Sequence, residues 1–251
     1  MFYSKNLNKI HNIKHCFYSR KNGFSEGIYQ GLNCGLGSND KKINVQKNLN
    51  LVSKQFGVKN DKLILMNQTH SNKVQIIENK NNFNKINSDA ILSKDNSLAL
   101  CVLTADCAPI LIYEKKKNII GCIHAGWKGA FSGIIENTLK KINEIGGDVK
   151  NLTVCIGPCI SQKNYEVKID FKNRFIKQNS KNTKYFLSKS NKIFFSLRDY
   201  ISGQLLKFGV KNIEIIKKDT FNVKNNFFSA RRSLKNKNND YGRNISLIMI
   251  K

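Results

Sequence analysis

The sequence predicts an α+β fold: a layered sandwich in which a mixed β-sheet is covered by helices. Three observations lead there. Apolar runs of strand length alternate with stretches whose apolar residues recur at helical spacing. Two neighbouring strands are joined by a tight polar turn, a hairpin connection that an all-parallel sheet does not use. Other strands follow helices through a glycine stop, so hairpin and helical connections are mixed. No shift in composition divides the chain, and residues 1–251 read as a single domain.

Each element has a local reason. A helix is expected over 43–56, where Ile43, Val45, Leu49, Val52 and Phe56 form one stripe and Gly57 supplies the stop. An apolar strand follows at 63–66, and another lies at 98–103. Pro109-Ile-Leu-Ile-Tyr113 and Ile119-Ile-Gly-Cys-Ile-His124 are strands joined by the polar turn Glu114-Lys-Lys-Lys-Asn118. Phe131, Ile134, Ile135, Leu139, Ile142 and Ile145 predict one helix over 131–145, closed by Gly146-Gly147. A strand at 152–156, a helix at 197–208 closed by Gly209, and strands at 213–216 and 245–250 complete the set. The pentapeptide Phe-Gly-Val-Lys-Asn occurs at 56–60 and again at 208–212, each time between a helix and a strand. It marks either a duplicated unit or a favoured connection. Residues 79–87 and 235–239, rich in Lys and Asn, read as exposed loops.

Composition narrows the function. The first apolar residues are interrupted by Lys5, Lys9, His11 and Lys14, so no secretion signal is expected. No apolar run nears the roughly 18 residues that span a membrane. A cytoplasmic protein without membrane partners is expected. Seven cysteines (Cys16, Cys34, Cys101, Cys107, Cys122, Cys155, Cys159) are an odd, scattered set that argues against a disulfide framework. Cys155 and Cys159 lack the spacing of a zinc ribbon. The net charge of +26 comes from lysine spread over the whole chain, with little arginine. A specific nucleic-acid module concentrates its charge on one face and favours arginine forks, so general attraction of anions is the expected effect.

The chemistry gathers in a few segments. With the hairpin turn centred near Lys115 and Lys116, Cys107 falls opposite His124. Directly opposed side chains have Cβ atoms roughly 4.5–5.5 Å apart, close enough to share a cation. His70, at the end of the strand that starts at Leu63, is the third ligand. Three protein ligands leave one position open, as in catalytic zinc sites. Asp106 is expected to orient a bound imidazole or to accept a proton. His124-Ala-Gly-Trp-Lys-Gly-Ala130 opens a helix near Ala130, where free N–H groups and Lys128 suit an anion. Arg20, Tyr165-Glu166, Arg231-Arg232 and Arg243 supply the rare guanidinium groups and an aromatic ring.

Taken together, several segments resemble the YfiH laccase-domain family, also called polyphenol oxidase proteins. They are Phe17-Tyr-Ser-Arg20, Asn67-Gln-Thr-His70, Thr104-Ala-Asp-Cys-Ala-Pro109, His124-Ala-Gly-Trp-Lys-Gly129, Gly157-Pro-Cys159 with Tyr165-Glu166, Phe228-Ser-Ala-Arg-Arg232 and Gly242-Arg243. The resemblance implies a CNF/YfiH-like sandwich, with zinc held by His70, Cys107 and His124. The family usually has arginine at the place of Lys128 and often cysteine near Thr220. The implied function is a zinc-dependent purine nucleoside phosphorylase acting on adenosine, inosine, guanosine or methylthioadenosine, with phosphate as co-substrate and adenosine deaminase side activity. Cys107, His124 and Asp106 are the expected catalytic residues. Arg20, Gln68, Lys128, Tyr165, Arg231 and Arg232 are expected to bind substrate, in a monomer or homodimer.

Four histidines are too few for the blue and trinuclear copper centres of a multicopper oxidase, although copper suits a single Cys/His site. A second enzymatic reading makes Cys107 a metal-free nucleophile with His124 as its base, in an amidase or hydrolase that edits peptidoglycan precursors. A third reading is a basic nucleic-acid-binding protein.

Overall fold

A computed structural model describes residues 1–78 and 86–251; most of the loop expected over 79–87 lies outside the described residues. The chain runs α1 (Lys5–Asn8), β1 (Ile13–Phe17), α2 (Lys42–Phe56), β2 (Leu63–Ile64), β3 (Val74–Ile77), β4 (Ala90–Ser93), β5 (Ala99–Thr104), β6 (Ala108–Glu114), β7 (Ile119–Ala125), α3 (Trp127–Phe131) and α4 (Ile134–Glu144). It continues through β8 (Leu152–Ile156), β9 (Glu166–Val167), α5 (Ile169–Gln178), β10 (Phe186–Lys189), β11 (Lys192–Phe195), α6 (Leu197–Lys207), β12 (Asn212–Ile215), α7 (Ala230–Lys235) and β13 (Asn244–Ile250).

The strands build two principal sheets, both mixed, where the sequence suggested one. One has the order β1-β13-β5-β2 and the other β12-β8-β6-β7-β4-β3; a small third sheet is β10-β11-β9. Alternation of side chains along each strand explains the layering. Leu100 and Val102 of β5 meet Leu111 and Tyr113 of β6, and Ile120 and Cys122 of β7, between the two sheets. The opposite faces turn outward to helices. Cys101, Ile245 and Leu247 pack on Val45, Leu49, Val52 and Phe56 of α2. Ile110, Ile112 and Ile123 pack with Ile135, Leu139 and Ile142 of α4 and with Ile201 and Leu205 of α6. The layers therefore run helix, sheet, sheet, helix, a sandwich with all four faces of its sheets covered.

Three expectations need correction. The helix predicted over 131–145 is two helices. Ser132 and Gly133 interrupt it, with Gly133 at φ 95°, and the first helix already begins at Trp127. The hairpin turn is centred between Lys116 and Lys117, so that Pro109, not Cys107, lies opposite His124. That displacement is by two residues, which keeps every side chain on its own face. Cys107 thus remains a diagonal neighbour of His124, on the inter-sheet side. Finally, β2 is only two residues long, and His70 sits in the loop beyond it with φ 59° rather than at a strand end.

Both copies of the repeated pentapeptide form the same helix-to-strand connection. Gly57 (φ 76°) and Gly209 (φ 87°) are left-handed helix stops, and the following Val58 and Val210 N–H groups donate back to Ser53 and Leu205 carbonyls at 3.0 and 3.1 Å. Each copy delivers an edge strand, β2 or β12, that runs parallel to its neighbour.

Candidate metal centre

Two passages between the sheets meet at one point. Residues 65–73 carry the chain from β2 in one sheet to β3 in the other. Ala105-Asp106-Cys107 carries it from β5 back to β6. His70 lies on the first passage, Cys107 on the second, and His124 near the end of β7. Their ligand atoms all lie within 4.8 Å of one another, with His70 exposed, Cys107 half-buried and His124 buried. Cys107 Sγ is 3.7 Å from His70 Nε2. Gly126 makes the approach possible: a Cβ there would stand 2.8 Å from His70 Cδ2 and 2.9 Å from Cys107 Sγ.

Asp89, which the sequence reading missed, organises the cluster. Its Oδ1 is 2.7 Å from His124 Nδ1 and accepts the His70 N–H at 3.0 Å; its Oδ2 accepts from the Ser71 N–H at 2.7 Å and the Ser71 hydroxyl at 2.6 Å. The Asp89 carbonyl also accepts the His124 N–H at 2.7 Å. One carboxylate thus sets the backbone of one ligand and the ring of another. Holding Nδ1 of His124 turns Nε2 toward the cluster, the usual support of a metal-bound imidazole. No sequence pattern marks Asp89; it precedes the short apolar strand β4 and reads as a turn residue.

The electrostatics follow from this packing. Burial pushes the Cys107 thiol up, but the neighbouring His124 and His70 outweigh it and bring it down to about 6. Burial pushes the His124 imidazole down, and Cys107 and Asp89 outweigh that and lift it to about 9. Burial also raises Asp89, yet the hydrogen bonds from His124 and Ser71 hold it well below the usual carboxylate range. A thiolate and two imidazole nitrogens converging on one point form a donor set suited to zinc, and also to copper.

Asp106 does not play the part expected of orienting an imidazole. Buried at φ 85°, its carboxylate accepts from Thr220 Oγ1 at 2.6 Å, Ser229 Oγ at 2.9 Å and the Arg231 N–H at 2.7 Å. Burial raises its pKa against those hydrogen bonds. Asp106 therefore holds the crossover turn to the start of α7.

The cluster opens onto a cleft of about 320 Å³, lined by Met66, Gln68, Leu103 and Thr104 on one side and by Gly35, Gly37, Tyr241 and Arg243 on another. Gln68 spends its amide on the backbone of Leu103, donating at 2.6 Å and accepting at 2.8 Å. The other expected substrate residues lie outside this lining. Arg232 gives its guanidinium to the carbonyls of Thr220, Phe221 and Phe227. Arg231 donates to the Glu166 carbonyl at 2.9 Å and lies 5.2 Å from the centre of the Tyr165 ring. Burial, then the nearby Cys107, pushes the Tyr165 hydroxyl up. Arg20 lies 5.7 Å from the Phe228 ring centre, and Lys128 is exposed, 5.8 Å from that of Trp127. The helix that Lys128 joins has five residues, too short to act as an anion cradle.

Among the described residues no helix is long and apolar enough to cross a membrane. Residues 14–251 match the family described as "Multi-copper polyphenol oxidoreductase laccase". A Bacteroides thetaiotaomicron protein named purine nucleoside phosphorylase is 31% identical over 241 residues, covering 91% of this chain and 89% of its own. A Haemophilus influenzae protein of the same name is 30% identical, covering 97% and 96%. A crystal structure of a Neisseria meningitidis protein superposes with a TM-score of 0.84 at 28% identity over 96% of this chain and 95% of that one. The fold is also that of Bacillus licheniformis YfiH, with a TM-score of 0.88 at 24% identity over 95% and 93% of the two chains. The chain belongs to the laccase-like YfiH family.

Proposed function

We propose that this protein is a zinc-dependent purine nucleoside phosphorylase acting on adenosine, inosine, guanosine or methylthioadenosine. The observation that carries the reading is the three-ligand cluster of His70, Cys107 and His124 at the wall of a cleft that admits a small molecule. The names of the relatives favour the same activity. In phosphorolysis a phosphate oxygen forms a bond to C1′ of the ribose. The C1′–N9 bond breaks, its electron pair leaves with the purine, and a proton joins the base. When bound, zinc supplies a Lewis acid beside the reacting groups. The chain's own part is positional: Asp89 fixes the His124 ring and the His70 backbone, Gly126 lets the thiolate and His70 approach, and Gln68 shapes the cleft wall. Adenosine deamination, in which water adds at C6 of the purine and the C6–N bond breaks to release ammonia with the C1′–N9 bond intact, is the side activity of the same cleft.

A second reading is favoured by one observation. Cys107, His124 and Asp89 stand in the order nucleophile, base and orienting carboxylate, which suits a metal-free cysteine hydrolase. A substrate screen with and without phosphate, following free base and ammonia, separates the two. Phosphorolysis requires phosphate-dependent base release that is lost in Cys107→Ala and in chelated protein. Activity that survives chelation but not Cys107→Ala would replace it with the hydrolase.

A further inference from the structure

The positions expected from the sequence to take phosphate do not line the cleft. One arginine does. Arg243 projects into the same cleft as the metal ligands. Its Nη1 donates to Asp240 Oδ1 at 3.2 Å and to the Tyr241 carbonyl at 2.6 Å, and its guanidinium lies 4.6 Å from the centre of the Tyr241 ring. Among the described residues, Nη2 and Nε have no protein partner. These two N–H groups lie on one edge of the guanidinium plane. They form the parallel fork that binds two oxygens of a phosphate or carboxylate at once.

The fork is held in place by its surroundings. Asp240, itself buried, accepts the Tyr29 hydroxyl at 2.7 Å and the Asn39 N–H at 2.8 Å, which ties two N-terminal loops to the guanidinium. Fully buried Asn33 accepts the Arg243 N–H at 2.9 Å and donates to Asp40 and Ser38. Gly35 lies flat against the side chain: a Cβ there would stand 2.3 Å from Arg243 Cδ. Asp240, Asn33 and Gly35, from two distant segments, thus hold one arginine with its free edge outward. Its side chain is 23% exposed, enough to meet a ligand and too little to swing freely.

We propose that Arg243 binds the phosphate co-substrate through its Nε/Nη2 edge, with Asp240, Asn33 and Gly35 as its positioning residues. The proposal rests on the phosphorolysis reading and adds to it where the anion sits. Tyr241 completes the wall by supporting one face of the guanidinium.

The test measures phosphate binding directly, by phosphorus NMR line broadening on the zinc-loaded full chain without nucleoside, beside steady-state kinetics. Wild type should bind phosphate saturably. Arg243→Gln should weaken that binding about tenfold or more, and Arg243→Lys, which keeps charge but loses the fork, should lie between. Gly35→Ala should weaken it as well, because the added methyl displaces the side chain without removing charge. In the kinetics the loss should appear in the KM for phosphate, with the KM for nucleoside and the zinc content unchanged. Equal phosphate binding by wild type and Arg243→Gln overturns the proposal, as does absence of saturable binding by wild type. A nucleoside monophosphate that binds through Arg243 more tightly than inorganic phosphate overturns the assignment to free phosphate. Phosphate binding through Arg243 without phosphate-dependent base release would uphold the site and overturn phosphorolysis instead.

Discussion

His15 and Asp89 show what a single residue does once the chain around it is folded. His15 is buried in β1, where its Nε2 accepts the Ser4 N–H at 2.8 Å and its ring meets Tyr3 and Phe17 edge-on. Burial pushes its pKa down from 6.5 to about 4, with Glu214 opposing. A group whose pKa is depressed by folding binds fewer protons in the folded state, so its stabilising effect is complete above pH 6.5. It is lost as pH falls toward 4. The full difference is about 3 kcal/mol. Urea unfolding between pH 7 and pH 4.5 should show the decline, and His15→Gln, which still offers Ser4 an acceptor, should flatten it. The same scale marks the limit of reading residues from sequence. His70, Cys107 and His124 were legible because their residue types announce ligand chemistry. Asp89 was not, since a lone aspartate before a strand looks like any turn residue until tertiary structure brings it under His124. Arg231 and Arg232 were legible as arginines, but that their guanidinium groups donate to backbone carbonyls depends on contacts no local pattern encodes.

At the scale of elements, the turn between β7 and α3 governs how close the ligands come. Gly126 has ordinary backbone angles (φ −76°), so alanine there strains nothing locally. It does force Cys107 and His70 apart. Gly126→Ala should therefore lower zinc affinity by roughly 10–100-fold, the range seen when support of a metal ligand is disturbed, while leaving the melting temperature of the metal-free protein nearly unchanged. A competition titration with a chelating dye measures the first, and a thermal melt the second. The elements with a long apolar run or stripe were legible because apolar spacing reports them: α2, α6, β6, β7 and β8 fall within a residue or two of expectation, whereas β1, β3, β4, α5 and the β10–β11 hairpin had no such signal and were missed. The break at Gly133 was not, because the apolar stripe continues across it, and periodicity cannot see a left-handed residue. The register slip in the β6–β7 hairpin has a similar source. A run of three lysines offers no preferred turn centre, so the pairing is decided by the strands and their neighbours.

For the whole molecule, the charge of +26 is the dominant property beyond the fold. With so many lysines and few acidic partners, the surface attracts polyanions without sequence preference. The protein should bind heparin or duplex DNA with an affinity that falls linearly in logarithmic terms as salt rises. Cys107→Ala should elute at the same salt concentration as wild type. A change in that variant would tie nucleic-acid binding to the metal centre and contradict the reading of diffuse attraction. The sandwich was legible as a class from mixed connections. Its division into two principal sheets was not, because parity along a strand separates two faces without saying whether helix or sheet covers each.

The meeting of two inter-sheet passages at one point has a mechanical consequence. The loop of His70 and the turn of Cys107 are the seams where the layers are sewn together, and His124 lies on the sheet that both seams enter. A cation gripped by all three would act as a rivet through the sandwich. Stripping it would loosen the join between layers and the mouth of the cleft in the same event, so that in this architecture an emptied centre and a slackened scaffold are two views of one change.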